Sequence, residues 1–367
     1  MRLLRGPGAR DSRMDFWRGL CLLDMLLVHL VYADVQFGHA LGNFFGEYAR
    51  FAAGGFVFLA GMGVGRFFLP KVQNPVTRRA AYVRLWRRAT ILLCAHYIAT
   101  FLHILFDQWL GYADATATPF AVVRDVILMR QGDDLLPFYV ILTTITPLLL
   151  ALLRRRDGFL WVAGISMVIF RIGILHPNWL LLSANPRFPI LLWQMIFIAG
   201  LLSGAGFKRY DVLSKKVKAA IMLVAWTAFA VLFFSDYGPD FGWPKLNLGV
   251  IFNNRPLSLG EALRYLSSTI GLLTSIDLLW PWVGHNFVAA FLATLGRRSL
   301  FVYVSHLFVV TFAGWLCDQV FYSAGAWQSL MLIPAAAILW MVATSSEWFS
   351  KAIAAPSSRR SPVPEAS

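Results

Sequence analysis

The sequence predicts an all-α integral membrane protein of about ten transmembrane helices with both termini in the cytosol, and three observations carry that expectation. Of its 367 residues, 58% are hydrophobic and only 14% charged, with a mean hydropathy of +0.62, far above that of an ordinary soluble domain. Ten apolar stretches are long enough to cross a hydrocarbon core, which takes about 20 residues of helix. The formal charge of +14 is spread over alternate loops, the pattern that orients a chain in a bilayer, so no nucleic-acid partner is inferred.

The first stretch, Phe16–Val35, follows a basic segment over residues 1–13 and lacks a convincing small-residue cleavage site. It therefore reads as a retained span and not as a removable signal peptide. Tyr48–Leu69, Arg88–Phe106, Leu135–Leu153, Phe159–Leu175, Phe188–Gly206 and Val217–Ser235 follow. Leu263–Trp280 is diluted by Asp277 and several Ser and Thr residues, and Ser299–Cys317 and Trp327–Phe349 complete the set. The short segment Asn286–Leu295 reads as re-entrant or interfacial; if it spans, every later orientation reverses. Residues 14–350 are thus expected to form one transmembrane domain, and the Pro- and Ser-rich segment 351–367 a disordered cytosolic tail.

Loop charge tests the count. With the N-terminus inside, the inward loops and tails hold most of the 33 lysines and arginines, while acidic residues gather outside. The cluster from Arg78 to Arg88 has the charge to hold the phosphates of a cytosolic cofactor such as coenzyme A, although topology explains it without a ligand. No P-loop or dinucleotide fingerprint is present. The glycines of GGFVFLAGMGVG lie inside an apolar helix, where Gly61 and Gly65 have the small-xxx-small spacing of close helix packing. Cys21, Cys94 and Cys317 sit in apolar segments with no CxxC pair, so neither a disulfide framework nor a metal site is expected.

The stretch with chemistry in it is MDFWRGLCLLDMLLVH, Met14 to His29. At 100° and about 1.5 Å per residue, Arg18 and His29 lie on nearly one helix face about 16 Å apart. Asp15 falls close to that stripe and Asp24 on another face. A charged group at the centre of a span costs about 2.5–3.5 kcal/mol on insertion scales, so such residues face a partner or a cavity. His29 is accordingly the first functional candidate. The alternative is an Arg anchored at the membrane surface and a His that merely hydrogen-bonds between helices. Asp15 and Arg18, one turn apart, also have the spacing of a local ion pair.

The ninth span opens GRRSLFVYVSHLF, and Ser299, Tyr303 and His306 recur at i, i+4 and i+7 on one face. Both helices start at the cytosolic surface, so His29 and His306 are expected at similar depth, lining one site or belonging to separate helix contacts. His96 and His103, and Gln194, read as helix-packing polar groups. Two outward loops exceed a simple connection, Asp107 to Asp134 and Asp236 to Glu261. The second mixes Trp243 with Asn254 and Arg255, an aromatic face beside directional polar groups that suits a sugar, the alternative being a structured lid with an interfacial aromatic belt.

Taken in order, RMDFWRGLCLLDMLLVH, GGFVFLAGMGVG, LLPFYVILTTITPLLL, WQMIFIAGLLSG and LGRRSLFVYVSH resemble the OpgC-type membrane acyltransferases, related to the wider acyltransferase family 3. The resemblance runs from about Arg13 to Val310. It implies a fold of about ten transmembrane helices in the bacterial inner membrane, an acyl-coenzyme A donor from the cytosol, and an extracytoplasmic carbohydrate acceptor, with succinylation of periplasmic glucans the namesake activity. Arg18 and His29 match the family's functional Arg and His. His306 matches the His after LG-x-x-S and Tyr in many family-3 acyltransferases, a position where OpgC-type proteins often carry other residues.

Acyl transfer requires a sugar hydroxyl to lose a proton as it attacks a thioester, and a neutral imidazole suits that general-base role, assigned to His29. A thioester is already activated, so no bound metal or second cofactor is expected. Arg18 is placed to bind a donor phosphate or to orient Asp15, and Ser299, Tyr303 and His306 to hold the acceptor or the thioester oxygen. A transporter or translocase of a glycan would also need buried polar groups and long outward loops, but no inverted repeat or pair of broken helices is evident. A structural or assembly partner that keeps the fold without the chemistry is a third reading.

Overall fold

The computed structural model describes residues 11–33, 35, 44, 51–111, 135–176, 179, 189–237 and 257–354. Every regular element among them is helical: α1 Ser12–Tyr32, α2 Ala52–Gln73, α3 Pro75–Leu110, α4 Leu135–Leu153, α5 Gly158–Leu175, α6 Ile190–Ala205 and the short α7 Phe207–Asp211. α8 Lys215–Tyr237, α9 Leu259–Val283, α10 Phe287–Arg297, α11 Ser299–Gln319, a 3₁₀ segment Tyr322–Met331 and α12 Leu332–Ala354 follow. The described part of each of the ten apolar stretches is largely helical, the last running from the 3₁₀ segment into α12.

Seven helical segments among the described residues are long and apolar enough to cross a membrane, those of α2, α3, α4, α5, α8 and α11 and Trp327–Trp348, and they mark a membrane protein. Ten were expected. The other three helices depart in visible ways: α1 carries Arg13, Asp15, Arg18 and Asp24, α6 has only 16 residues, and α9 holds Glu261, Arg264 and Asp277. α10 has 11 residues and so reaches about 16 Å, roughly half a hydrocarbon core, too short to cross alone.

One boundary moves a long way. The expected third span started at Arg88, but α3 begins at Pro75, where Asn74 accepts from the Val76 amide at 3.0 Å and proline occupies the first helical position. Arg78 to Arg88, expected as a loop, is therefore helical. An apolar window finds where a helix enters lipid, not where it starts. At 36 residues α3 is about 54 Å long, so several turns exceed a bilayer core. It stops at Gly111, whose φ of 81° is open to glycine and strained for residues with a Cβ.

The chain forms two compact units, Met1–Arg50 with Gly284–Ser367, and Phe51–Val283. In the first, α1 and α10 cross at two glycines. A Cβ on Gly19 would run into the Leu292 carbonyl oxygen, and one on Gly296 into the Asp15 carbonyl oxygen. Such an approach maximises van der Waals contact, which drives helix association where lipid is as apolar as the side chains. Arg297 then ties α10 to α12 through Glu347 at 2.6 Å.

In the second unit, α2 and α6 cross the same way, with glycines on both sides. Gly61 and Gly65 lie against the carbonyls of Phe197 and Leu201, and Gly200 and Gly204 against those of Phe58 and Met62. The spacing in α2 is thus matched by GLLSG in α6. Gln194 accepts from the Ser166 hydroxyl at 2.8 Å and donates to the Ser166 carbonyl at 2.9 Å, which joins α6 to α5 as expected of a packing residue. The α8–α9 pair is fastened at both ends, by Lys218 to Asp277 at 2.7 Å and Arg264 to Asp236 at 2.9 Å. Asp277, which weakens the apolar pattern of α9, is there because it has a lysine to meet.

Candidate functional site

α1 is one uninterrupted helix from its cap to its end. Asp11 accepts from the Arg13 amide at 3.1 Å, and the Ala33 amide closes on the His29 carbonyl at 2.9 Å. The helix buries Trp17, Cys21, Leu22, Leu26 and Leu30 and leaves His29 half-buried near its C-terminal end. α11 begins immediately after Arg298 and carries Tyr303 and His306 into the interior, 2% and 1% exposed. The i+3 relation between them sets Tyr303 beside His306, with ring centroids 5.1 Å apart.

The two histidines meet. His29 Nδ1 lies 3.0 Å from His306 Nε2, the ring centroids are 5.0 Å apart and the planes differ by 22°. The centroid separation exceeds the nitrogen separation by almost two ring radii, so the rings touch edge to edge through nitrogen and do not lie face over face. The other nitrogen of His306, Nδ1, contacts the Tyr303 carbonyl oxygen. Of the two arrangements the spacing allowed, one shared contact or two separate ones, the first is present. A half-buried imidazole backed by a buried one can take up a proton at a fixed point and pass it on.

Arg18 takes the other end of α1. Its guanidinium is 3.5 Å from the Asp15 carboxylate, the local ion pair that their spacing permits, with Asp15 buried and Arg18 partly exposed. Helix rise sets Arg18 about 16 Å from His29 along α1. Ser299 is half-buried in the first turn of α11. Trp243, Asn254 and Arg255 lie outside the described residues, as do residues 112–134 and the tail from 355.

Three features escaped the reading of the sequence. Gly19 and Gly296 sit inside two of the stretches that carry the resemblance, RMDFWRGLCLLDMLLVH and LGRRSLFVYVSH, and they make the backbone crossing that sets α1 against α10; two isolated glycines carry no periodic signal of that. Arg297, just before the ninth span, is bound to Glu347 and to Thr294 at 2.8 Å. The Trp17 indole N–H is buried with no hydrogen-bond partner among the described residues. In the cluster weighed as a phosphate site, Arg78 donates through Nε to the Val72 carbonyl at 3.0 Å, while Arg79, Arg84 and Arg87 are exposed.

His96 and His103 are not paired with each other. His96 is buried against Tyr97, its Nε2 without a hydrogen-bond partner among the described residues, and His103 contacts Asp107 at 3.1 Å one turn on. No group of three or more His, Cys, Asp or Glu suited to a metal occurs among the described residues.

A search of curated proteins found no match. The family model described as OpgC protein matches residues 10–351, nearly the whole chain, and the chain belongs to that family.

Proposed function

We propose that this protein is a membrane-embedded O-acyltransferase of the bacterial inner membrane, with ten spans and both termini in the cytosol. It moves an acyl group, succinyl in the namesake case, from cytosolic acyl-coenzyme A to a hydroxyl of an extracytoplasmic glucan. Membership of the OpgC family suggests a glucan-modifying acyltransferase in general. The observation that carries the finer reading is the 3.0 Å contact between His29 and His306.

In this reading His29 is the general base. As the glucan hydroxyl oxygen attacks the thioester carbonyl carbon, its proton passes to the imidazole. The C–S bond breaks, the ester forms, and the departing thiolate takes the proton back as coenzyme A thiol. General-base catalysis of this kind is worth about 10²–10⁴-fold. Arg18, held by Asp15, offers a permanent positive charge to a donor phosphate. Ser299 and Tyr303 contribute to the donor and acceptor site, and Trp243, Asn254 and Arg255 supply the sugar-facing loop.

The test is decoration in cells. Wild type and His29→Ala are expressed at equal membrane abundance and the extracytoplasmic glucans weighed by mass spectrometry. The expected outcome is an acyl mass increment with wild type that the variant loses. Unchanged acylation in the variant defeats the assignment of His29, and a change in the amount of glycan outside without a change in its mass points to transport instead.

A further inference from the structure

Two contacts of His306 bear on where protons sit on both rings. A carbonyl oxygen only accepts, so the contact of His306 Nδ1 with the Tyr303 carbonyl puts a proton on that nitrogen. A neutral His306 then has its lone pair at Nε2, 3.0 Å from His29 Nδ1. That second contact is a hydrogen bond only if His29 Nδ1–H donates, which in a neutral His29 puts the lone pair at Nε2. We infer that His306 is a positioning residue: anchored by the Tyr303 carbonyl, it holds the proton on His29 Nδ1 and so makes His29 Nε2 the basic atom.

Burial divides the roles in the same direction. His306 is 1% exposed and enclosed between the Tyr303 ring and His29, whereas His29 is half-buried. A buried partner that accepts from the inner nitrogen of a catalytic imidazole selects its tautomer and steadies the charge it acquires. A carboxylate or a backbone carbonyl does this for catalytic and metal-bound histidines; here a second imidazole does it, with a helix carbonyl behind. When His29 Nε2 takes the hydroxyl proton, Nδ1–H continues to donate to His306 Nε2, so the positive charge forms against a lone pair already in place. Free imidazole exchanges tautomers, and the wrong one presents an N–H to the hydroxyl instead of a lone pair.

This inference rests on the acyl-transfer reading for its rate predictions but not for its spectroscopic one. The experiment uses the full chain in lipid nanodiscs with ¹⁵N-labelled histidine rings, His29→Asn identifying the His29 signals. Expected in wild type is a protonated Nδ1 and an unprotonated Nε2 on His29; His306→Phe, similar in size but without an acceptor, releases that preference. In cells, His306→Phe is expected to lower glucan acylation about 10–100-fold, the range seen when such outer partners are removed. His306→Gln presents a carbonyl acceptor to His29 and is expected to recover acylation to within about tenfold of wild type.

A protonated His29 Nε2 in wild type overturns the inference, as does wild-type acylation in His306→Phe, which would make the residue mere packing. So does a His306→Gln variant as inactive as His29→Ala, which would make His306 a direct participant. If instead His29→Ala acylates normally, the enzymatic reading fails, while the tautomer measurement still decides the hydrogen-bond assignment by itself.

Discussion

The two units share one kind of buried polar contact and differ in another. In the unit Phe51–Val283, polar partners are complementary: lysine with aspartate at 2.7 Å, arginine with aspartate at 2.9 Å, amide with hydroxyl and carbonyl at 2.8 and 2.9 Å. Each meeting satisfies a donor with an acceptor or one charge with its opposite, and so fastens two helices. The unit of Met1–Arg50 and Gly284–Ser367 has such pairs too, Arg18 with Asp15 and Arg297 with Glu347, but in it one further contact joins two groups of the same kind, His29 and His306. An imidazole gives its neighbour a hydrogen bond without cancelling a charge, and His29 can gain a proton at Nε2 without breaking the bond. The first arrangement is suited to holding a bundle together, the second to moving a proton within one.

That contrast can be broken at its strongest point first. Asp277→Ala removes the partner of a largely buried lysine, and stranding a buried charge costs about 3–5 kcal/mol. Thermal unfolding in nanodiscs should show a large drop, mostly recovered by Lys218→Met with Asp277→Leu, and acylation per folded molecule should stay at the wild-type level. Loss of acylation in the well-folded double variant would mean that the ion pair does more than clamp. Next in size is Gly296→Leu, which drives a side chain into the Asp15 carbonyl; overpacking of this kind costs about 1–3 kcal/mol. Because this crossing sets α1 within its unit, stability and acylation should fall together. Smallest is Gln194→Leu, which removes interhelical hydrogen bonds averaging about 0.6 kcal/mol in membranes. A small shift in midpoint with unchanged acylation is expected; a collapse in acylation would give the α5–α6 contact a part in the chemistry.

The helices were legible because apolar length is a one-dimensional property. The described part of all ten stretches is largely helical, and the α2 glycines announced close packing by their spacing. Boundaries were less legible, since the cap at Asn74 and Pro75 lies thirteen residues upstream of the apolar window that Arg88 opens. Chemistry was legible to the level of which residues to watch. His29 and His306 stand out because histidine inside lipid-facing sequence is costly, but their contact depends on how α11 approaches α1, where Gly314 lies against the Ala33 carbonyl, and nothing along the chain relates those residues. Partner choice was hidden for the same reason: nothing local assigns Asp277 to Lys218, 59 residues away, or Arg297 to Glu347, 50 residues away.

Single-turnover acyl transfer tests the central claim most directly. Purified full-length protein in nanodiscs is mixed with succinyl- or acetyl-coenzyme A and glucan oligosaccharides, and ester formation is followed for wild type and for His29→Ala at matched thermal stability. Transfer by wild type and a loss of about 10²–10⁴-fold in the variant is the expected result. Equal rates in the two proteins would contradict the account.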